Sequence, residues 1–389
     1  MAEGPGTPGD AAEPPIASQE PAAGDGPASE EPSAAQEPAA GGGPASEPAA
    51  PGMREALGLG LFAARWMLLA CGWLVVAAVA AVTVQRLVAW DTSVAVLVWA
   101  DAFGWLVAIP VLPVALAAAF VRRWWLVAAA GAVVVAQVAL TVPELTAGSA
   151  LPSWAAGAPT VRVLDANLDK AVTLRPAYLR AIRRYHPGVV ALEEVTPLAA
   201  DDMGRLELGR VYPNVCAAPA FGVDGFVLGS RWPITGCRIV TVAGGTVPGG
   251  RIAVFAAATV HTPAGSLVVR VVHPVAPLPG SAGTWHAALA TLDRSVRRAG
   301  VRRMLVVGDF NATWGSAGFR ALLGEGLVDA AAARGEPFDA TWPNGAIVPP
   351  FLRIDHVLTG AGLVVTAIAS HAGDGSDHRF LTATVAVRS

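Results

Sequence analysis

The sequence contains few lysines and cysteines, and both shortages limit the kinds of binding site that the protein can form. Lys170 is the only lysine among 389 residues, so 26 of the 27 basic residues are arginine. Three cysteines and seven histidines form no cluster with the spacing of a zinc site. From Ala150 onward, 22 basic residues exceed 17 acidic ones by only five, which is little positive charge for a nucleic-acid-binding surface. The composition therefore disfavours both a zinc site and a nucleic-acid partner.

The cysteines leave one question open. Cys71 lies in an apolar run and is expected to pack there. Cys216 and Cys237 form a disulfide if their domain lies in an oxidising compartment, and otherwise they are two buried free thiols.

Residues 1–53 hold nine acidic residues and no lysine or arginine. The segment QEPAAGDGPASE at 19–30 nearly recurs as QEPAAGGGPASE at 36–47. Such a segment cannot bury enough apolar surface to offset the loss of chain entropy on folding. We therefore predict a disordered acidic tail, rich in alanine, proline and glycine, over residues 1–53.

Three uncharged runs follow the tail, at Trp66–Val84, Ala102–Val121 and Trp124–Val142. Each has about the 20 residues that a helix needs to cross a hydrocarbon core. Pro110 and Pro113 predict a kink in the second run. The pattern predicts four regions: the tail, three transmembrane helices within 54–142, a linker at 143–159, and a catalytic domain at 160–389.

Arginines set the orientation of these predicted spans. Four lie before the first span or in the turn between the second and third: Arg54, Arg65, Arg122 and Arg123. The other loop holds Arg86, whose charge is offset by Asp91 and Asp101. The positive-inside rule then places the N-terminus in the cytoplasm and, after three spans, the C-terminal domain outside the cell membrane.

After Val161, strand-like segments alternate with helix-like ones such as Pro176–Tyr185 and Gly283–Ala299, which predicts an α/β fold with sheets covered by helices. Polar residues gather at the ends of the strands. They are Asn167, Asp169, Glu193, Glu194, His273, Asp309, Asn311, Asp355, Asp377 and His378. Oxygen donors of this kind favour Mg²⁺ or Mn²⁺ over zinc.

Nearly all of these residues lie in short motifs, and the order of the motifs along the chain is that of a known superfamily. The motifs are VLDAN (163–167), VVALEEV (189–195), GFVLGSRWPI (225–234), VHP (272–274), GDFNAT (308–313), TWP (341–343), RIDHVL (353–358) and GSDH (375–378). Together they resemble the endonuclease/exonuclease/phosphatase superfamily over about Val161–Val387. The resemblance implies a four-layer α/β sandwich of two packed mixed sheets, and a metal-dependent phosphoesterase.

The resemblance also implies a role for each matching residue. Glu194 is expected to be the principal metal ligand, with Asn167 and Asp169 nearby and Asp377 reaching the ion through water. Glu193 stands where the family usually has glutamine, so it is not assigned as a ligand.

The remaining residues are expected to act on water and phosphate. Asp309 would orient or deprotonate the attacking water, and Asn311 would hold that water and a phosphate oxygen. His378, oriented by Asp355, would donate to the phosphoryl oxygens, and His273 would stand beside the phosphate.

The three predicted spans and the segment VVHPVAPLPG (271–280) are similar to membrane-anchored actinobacterial teicoplanin- and vancomycin-resistance (VanJ-like) proteins. That resemblance implies hydrolysis of a lipid-linked phosphate or pyrophosphate of cell-wall synthesis at the outer membrane face. Two alternatives remain open: an extracytoplasmic nuclease or nucleotide phosphatase, and a non-catalytic membrane-anchored binding module.

Overall fold

The computed structural model describes residues 52–88, 93–148, 150–206, 208–244 and 250–389. The predicted disordered tail lies outside these residues, apart from its last two positions. Residues 60–389 form one compact unit, which includes the α/β fold and the helical region that precedes it from residue 60 onward.

Four helices precede the first strand. They are α1 (Met53–Leu87), α2 (Ala95–Ala102), α3 (Val111–Phe120) and α4 (Trp124–Thr146). Within the described ranges, α1 and α4 are each long and apolar enough to cross a membrane. A third candidate exists only if α2 and α3, which are bent by 98° relative to each other, count as one broken span.

The second predicted span is therefore not a continuous helix. After α2, a five-residue 3-10 helix at Gly104–Ala108 turns the chain before α3 begins. Pro110 and Pro113 lie at the start of α3, where proline is tolerated because the first amides of a helix have no partner within it. The ten residues of α3 rise only about 15 Å, roughly half of a hydrocarbon core. The run over 102–121 is thus broken and not merely kinked. Helix α2 ends at Ala102, Gly104 has a φ of 56° at the break, and the prolines lie where α3 begins.

Polar side chains tie α2 to α1 and α1 to α4. Gln85 donates to the Asp101 carboxylate over 2.8 Å, and Gln137 donates to the Thr83 hydroxyl over 2.9 Å. Arg86 also donates to the Gln137 side chain. Because unpaired polar groups are costly in an apolar bundle, these pairs fix how the three helices pack.

The α/β part contains two six-stranded sheets. The first has the order β11-β12-β1-β2-β4-β3, from Leu363–His371, Phe380–Val387, Thr160–Asn167, Val189–Glu193, Phe226–Ser230 and Asn214–Ala218. The second has the order β5-β6-β7-β8-β10-β9, from Ile234–Ala243, Arg251–Thr262, Gly265–Val272, Met304–Asp309, Asp355–Thr359 and Val328–Asp329. Each sheet is mixed, with one parallel pair at its centre, β1–β2 in the first and β7–β8 in the second.

Apolar side chains from both sheets interdigitate, including Val163 and Leu228 from the first and Val269 from the second. Helices cover the outer faces: α5 (Pro176–Tyr185) and α6 (Pro197–Arg205) on the first sheet, and α8 (Ala282–Ala299) and α9 (Ala317–Gly324) on the second. Two short helices, α7 (Leu208–Val211) and α10 (Ala330–Ala333), complete the described elements. This arrangement confirms the predicted sandwich of two packed mixed sheets flanked by helices.

A disulfide joins Cys216 to Cys237, with their Cα atoms 5.5 Å apart. Cys216 lies on β3 and Cys237 on β5, so the bond links the edge strands of the two sheets. Of the two interpretations that the sequence left open, the structure therefore has the disulfide.

Helix α2 also packs closely on the α/β fold. The Thr313 hydroxyl donates to the Ala102 carbonyl over 3.0 Å, and Val98 is buried with the side chains beneath α8. A Cβ atom added at Gly315 would lie 1.9 Å from the Asp101 carbonyl oxygen. Glycine at 315 is therefore what allows the two backbones to approach.

We expect Gly315→Ala to loosen this contact, because the new Cβ atom would meet the Asp101 carbonyl oxygen, which belongs to the backbone and cannot rotate away. Overpacking of this kind costs about 1–3 kcal/mol. The melting temperature of the purified full chain in detergent should fall. Gly324→Ala is the control, since a Cβ atom there meets nothing within 4 Å. Equal melting temperatures for the two variants would contradict the close approach.

Candidate active site

The functional residues lie where strands from both sheets end at one edge of the sandwich. Asn167 is the last residue of β1, Glu194 follows β2, His273 follows β7 and Asp309 ends β8. Because parallel strands end at the same edge of a sheet, these four side chains converge from distant positions in the sequence. Asp355 joins them because β10 runs antiparallel to β8 and pairs it with Asp309.

The loop that carries Glu194 is fixed by a helix cap. Thr196 precedes α6, and its hydroxyl accepts a hydrogen bond from the Ala199 amide over 3.1 Å. The same hydroxyl donates to the Ala171 carbonyl over 2.7 Å. One side chain therefore joins the Glu194 loop to the turn that follows β1.

Asp309 is the centre of the buried cluster. Asn167 Nδ2 donates to Asp309 Oδ2 over 3.1 Å and lies 3.3 Å from Glu194 Oε1. His273 Nε2 lies 3.5 Å from the same Asp309 oxygen and 3.4 Å from Glu194 Oε1. The structure thus brings Asn167, Glu194, His273 and Asp309 into one contact network.

The surroundings of His273 favour the protonated form of its ring. Its Nδ1 donates to the Val223 carbonyl over 2.8 Å, so Nε2 faces the two carboxylates. Burial opposes the positive charge, but Asp309 and Glu194 outweigh burial and raise the pKa of His273.

His378 is held as a cation more strongly. Its Nδ1 donates to both Asp355 oxygens, over 3.1 and 3.0 Å, and its Nε2 lies 3.6 Å from Asp309 Oδ2. Burial opposes the charge, but the carboxylates of Asp355 and Asp309 raise the pKa of His378 to about 10. At neutral pH its ring is therefore protonated, so it can donate a proton but cannot act as a base.

Asp309 remains ionised among these cations. Burial disfavours its charge, but His378 and His273 together lower the pKa of Asp309 below its usual value. The Asn311 amide donates to Asp309 Oδ1 over 2.7 Å, and the Asn311 side chain also donates to the Pro274 carbonyl over 3.0 Å. An ionised, oriented carboxylate of this kind suits the acceptance of a proton from water.

Two predicted residues lie at the rim of the cluster. The Asp169 amide donates to Asn167 Oδ1 over 2.9 Å, while its half-exposed carboxylate pairs with Lys170 over 2.6 Å. Asp377 has a side chain that is 52% exposed and accepts from Trp342 Nε1 over 3.0 Å. The described contacts of the Asp377 side chain are with Trp342 and His378, and they do not include Glu194.

The donors fit a hard divalent cation. Glu194 Oε2 is buried, and the Lys170 ammonium lies 3.0 Å from it and 2.6 Å from Asp169 Oδ1, so two carboxylate oxygens are available there for an ion. The adjacent Asn167 presents its Nδ2 to Glu194 Oε1 and its Oδ1 to the Asp169 amide. In the described ranges, Asp309, Asp355 and His378 are the group of three acidic or histidine side chains whose donor atoms all lie within 4.8 Å of one another. Because His378 Nδ1 is already bonded to Asp355, we consider the Glu194 position the better place for a cation.

The backbone of this region adopts an unusual conformation. Asp169, Lys170, Glu194 and Asn311 have φ angles of 47°, 54°, 53° and 47°, in the left-handed region that favours glycine. Non-glycine residues of this kind cluster at functional sites, where the surrounding structure maintains the strain.

Sequence reasoning did not predict two parts of the site. One is Lys170, which was noted only as the single lysine. The other is a buried carboxyl pair, Asp165 and Glu193, behind the cluster. Burial raises the pKa of both carboxyl groups well above their usual values. The glutamate at a position usually occupied by glutamine was the one signal of this pair in the sequence.

The cluster opens into a cavity of about 500 Å³. Its polar floor consists of Lys170, Glu194, His273, Asp309, Asn311 and His378. Its other walls are largely apolar and consist of Trp99, Ala102 and Phe103 at the end of α2, with Val223, Ala276, Pro277, Leu278, Trp342, Leu352 and Ile354 from the α/β fold. Phe103 also stacks on Phe351, with ring centroids 6.1 Å apart.

Comparison with known proteins places these residues in a family context. The sequence model described as the Endonuclease/Exonuclease/phosphatase family matches residues 174–378, just over half of the chain. No curated protein matches the sequence significantly.

Several solved structures are similar. The endonuclease/exonuclease/phosphatase from Beutenbergia cavernae is 21% identical and matches 59% of this chain and 72% of its own, with a TM-score of 0.44. Humanized TDP2 of D. rerio is 17% identical, over 58% and 98% of the two chains, with a TM-score of 0.47. The 3' phosphatase NExo from Neisseria, bound to a product DNA hairpin, is 19% identical, over 57% and 98%, with a TM-score of 0.47.

We expect Asp355→Asn to lower the pKa of His378, because it removes the carboxylate that offsets burial of the imidazolium. In the metal-free wild-type protein, His378 should stay protonated until the pH rises to about 10. In the variant it should lose its proton at a much lower pH. Phosphate release at neutral pH should fall about 100-fold or more.

Nuclear magnetic resonance of protein with isotope-labelled histidine measures this titration. The exposed His261 serves as an internal reference, and Asp374→Asn, which alters an exposed carboxylate, is the control variant. A wild-type His378 that titrates near its usual value of 6.5 would contradict the assignment.

Proposed function

The chain belongs to the endonuclease/exonuclease/phosphatase family, and from that premise we propose that it is a membrane-anchored hydrolase of a lipid-linked phosphate or pyrophosphate. Members of this family are metal-dependent hydrolases that act on phosphoesters. The observation that carries the lipid assignment is the cavity, because the catalytic cluster and the end of α2 face the same space.

The geometry supports water attack on phosphorus. Asp309 accepts a proton from the attacking water, and Asn311, which is bonded to Asp309, orients that water. The imidazolium rings of His378 and His273 donate to the phosphoryl oxygens, where negative charge increases in the transition state. Asp355 holds the His378 ring in place.

A divalent cation, for which we propose Mg²⁺ or Mn²⁺, would be held by Glu194 with Asn167 and Asp169. When bound, such an ion supplies Lewis-acid stabilisation of the phosphoryl oxygens. We propose that Asp377 positions Trp342 at the rim of the cavity, because its carboxylate accepts a hydrogen bond from the Trp342 indole.

The apolar wall supports a substrate with a hydrocarbon part. Trp99 and Phe103 come from the apolar N-terminal region, and Phe103, Phe351 and Trp342 form a line of aromatic contacts at the cavity. A phosphate that reaches Asp309 through this cavity has apolar surface beside it, which a soluble nucleotide or a DNA backbone does not need. Nucleic acid is therefore not the partner that we propose.

We propose that residues 54–142 anchor the protein in the cell membrane through three spans. Residues 143–159 then form a linker, and a catalytic domain at 160–389 lies outside the cytoplasm. Arg54 and Arg65 near the N-terminal end of α1, with Arg122 and Arg123 between α3 and α4, support this orientation. The disulfide between Cys216 and Cys237 supports it independently, because such bonds persist in oxidising compartments.

We further propose that the substrate is an intermediate of cell-wall synthesis. The similarity in layout and in the segment 271–280 to glycopeptide-resistance proteins supports this, and it makes antibiotic resistance the expected phenotype. Enzyme assays test the activity itself. With Mg²⁺, the full chain should release phosphate from polyprenyl phosphates or pyrophosphates, and Asp309→Ala should not. Preferred cleavage of DNA or nucleotides would favour the alternative functions.

We expect Trp99→Ala and Phe103→Ala to impair long-chain substrates most. Each removes an aromatic contact with the hydrocarbon, worth about 1.5–3 kcal/mol when fully buried. The ratio kcat/KM should fall about 10-fold or more for a long polyprenyl phosphate, and far less for a short, water-soluble phosphate ester. Phe120→Ala removes an exposed aromatic outside the cavity and is the control. Equal losses on both substrates would contradict contact with the hydrocarbon.

The orientation has its own test. An alkaline phosphatase fused after Ser389 should be active, and a green fluorescent protein fused there should stay dark. An epitope on the N-terminal tail should be inaccessible from outside intact cells. A fluorescent C-terminal fusion would overturn the outward orientation. An accessible tail together with an active phosphatase would mean that α2 and α3 re-enter the membrane and do not span it.

A further inference from the structure

Lys170 lies in the cavity, beside the proposed metal position. Its Nζ is 2.6 Å from Asp169 Oδ1 and 3.0 Å from Glu194 Oε2. The ammonium therefore bridges two carboxylates that are proposed to hold the metal ion.

Hydrogen bonds fix the backbone turn at Lys170, and its side chain pairs with Asp169 and Glu194 while remaining partly exposed. Asp169 and Lys170 both adopt the left-handed conformation, and the turn is held by the Asp169 amide on Asn167 and by the Ala171 amide on the Leu168 carbonyl. The Lys170 side chain is 46% exposed. Its four-carbon stem can thus redirect the ammonium within the cavity without movement of the loop.

Lysine suits this position better than arginine does. An ammonium is a compact charge with three rotatable donors, whereas a guanidinium is planar and prefers a fixed two-point contact. In a sequence that otherwise uses arginine throughout, the one lysine lines the cavity.

The basic residues of the cavity lie in two places, two of them beside Asp309 and one beside Glu194. Among the described residues that line it, the basic ones are Lys170, His273 and His378. The two histidines face Asp309, which serves the phosphorus under attack. Lys170 lies on the Glu194 side of the cluster and contacts neither Asp309 nor His378 through any described hydrogen bond.

We propose that the Lys170 ammonium binds the second phosphate of a diphosphate, so that the preferred substrate is a lipid diphosphate and not a lipid monophosphate. This inference rests on the proposed function. A diphosphate carries one more phosphoryl group and more negative charge than a monophosphate, and it needs a further cation in a water-poor cavity.

The reaction assigned to this substrate is balanced as a hydrolysis. The water oxygen bonds to the terminal phosphorus, and the bond from that phosphorus to the bridging oxygen breaks. The bridging oxygen leaves with the electron pair as part of the lipid monophosphate. One water proton passes to Asp309, and inorganic phosphate is the second product. Lys170 offsets the charge that increases on the departing monophosphate.

Lys170 and a divalent cation compete for one oxygen. The ammonium lies 3.0 Å from Glu194 Oε2, the buried oxygen that is also proposed to bind the ion. A cation held by Glu194 would therefore leave the ammonium free to contact the substrate. Removal of the ammonium should therefore leave divalent-ion binding as strong as in the wild type, or stronger.

The test compares full-length wild type, Lys170→Met and Lys170→Arg in detergent. A charge-assisted hydrogen bond contributes enough for Lys170→Met to lower kcat/KM for a polyprenyl diphosphate about 10- to 100-fold. For the monophosphate of the same chain, the loss should be several-fold smaller. Lys170→Arg should recover part of the diphosphate activity. Arg180→Met removes an exposed cation that pairs with Asp374, and it is the matched control.

Two binding measurements complete the test. Binding of Mn²⁺, followed by paramagnetic resonance, should be undiminished in Lys170→Met. Binding of methylenediphosphonate in the presence of Mg²⁺, followed by calorimetry, should weaken about 10-fold or more.

Equal losses on both lipids, or weaker Mn²⁺ binding, would overturn the inference and assign Lys170 to the metal position. If the wild type hydrolyses neither lipid, the proposed function fails. The inference about Lys170 is then decided by methylenediphosphonate alone, and undiminished binding to Lys170→Met would overturn it.

Discussion

The site depends on one buried carboxylate, Asp309, at the point where the two sheets meet. A buried negative charge is costly unless cations and hydrogen-bond donors surround it, and Asp309 has both. Asn167 comes from the first sheet, and His273 and Asn311 come from segments that follow strands of the second. Asp309 can therefore stay buried and charged only because strands of both sheets end at this same edge.

The charge of Asp309 also determines the direction of proton transfer in our proposal. Because Asp309 and Asp355 hold His378 as a cation, our proposal makes the histidine the proton donor and Asp309 the proton acceptor. Were His378 neutral, Asp309 would lose its main opposing charge and its pKa would rise. The two roles are thus one coupled arrangement, and neither residue can be changed without altering the other.

Much of this was predictable from sequence, because the informative signals are local. An apolar strand followed by Asn167, Glu194 or Asp309 predicts polar side chains at a sheet edge, and family motifs order them. The break between α2 and α3 was not predictable in the same way, since the apolar run across it is unbroken. The ammonium of Lys170 on Glu194 and the contact of α2 with Gly315 join segments far apart in the chain. Only the folded chain brings such partners together.

Helix α2 gives the N-terminal region a role beyond that of an anchor. If the helices served only to tether the domain, a flexible linker would be enough, and the catalytic cavity would be bounded by the α/β fold alone. Instead, Gly315 admits the α2 backbone, and Thr313 bonds to its last carbonyl. These contacts place Trp99 and Phe103 in the lining of the cavity that also contains Asp309 and Lys170. Because apolar and ionic groups line one cavity, they support our proposal of a substrate that joins a hydrocarbon to a phosphate.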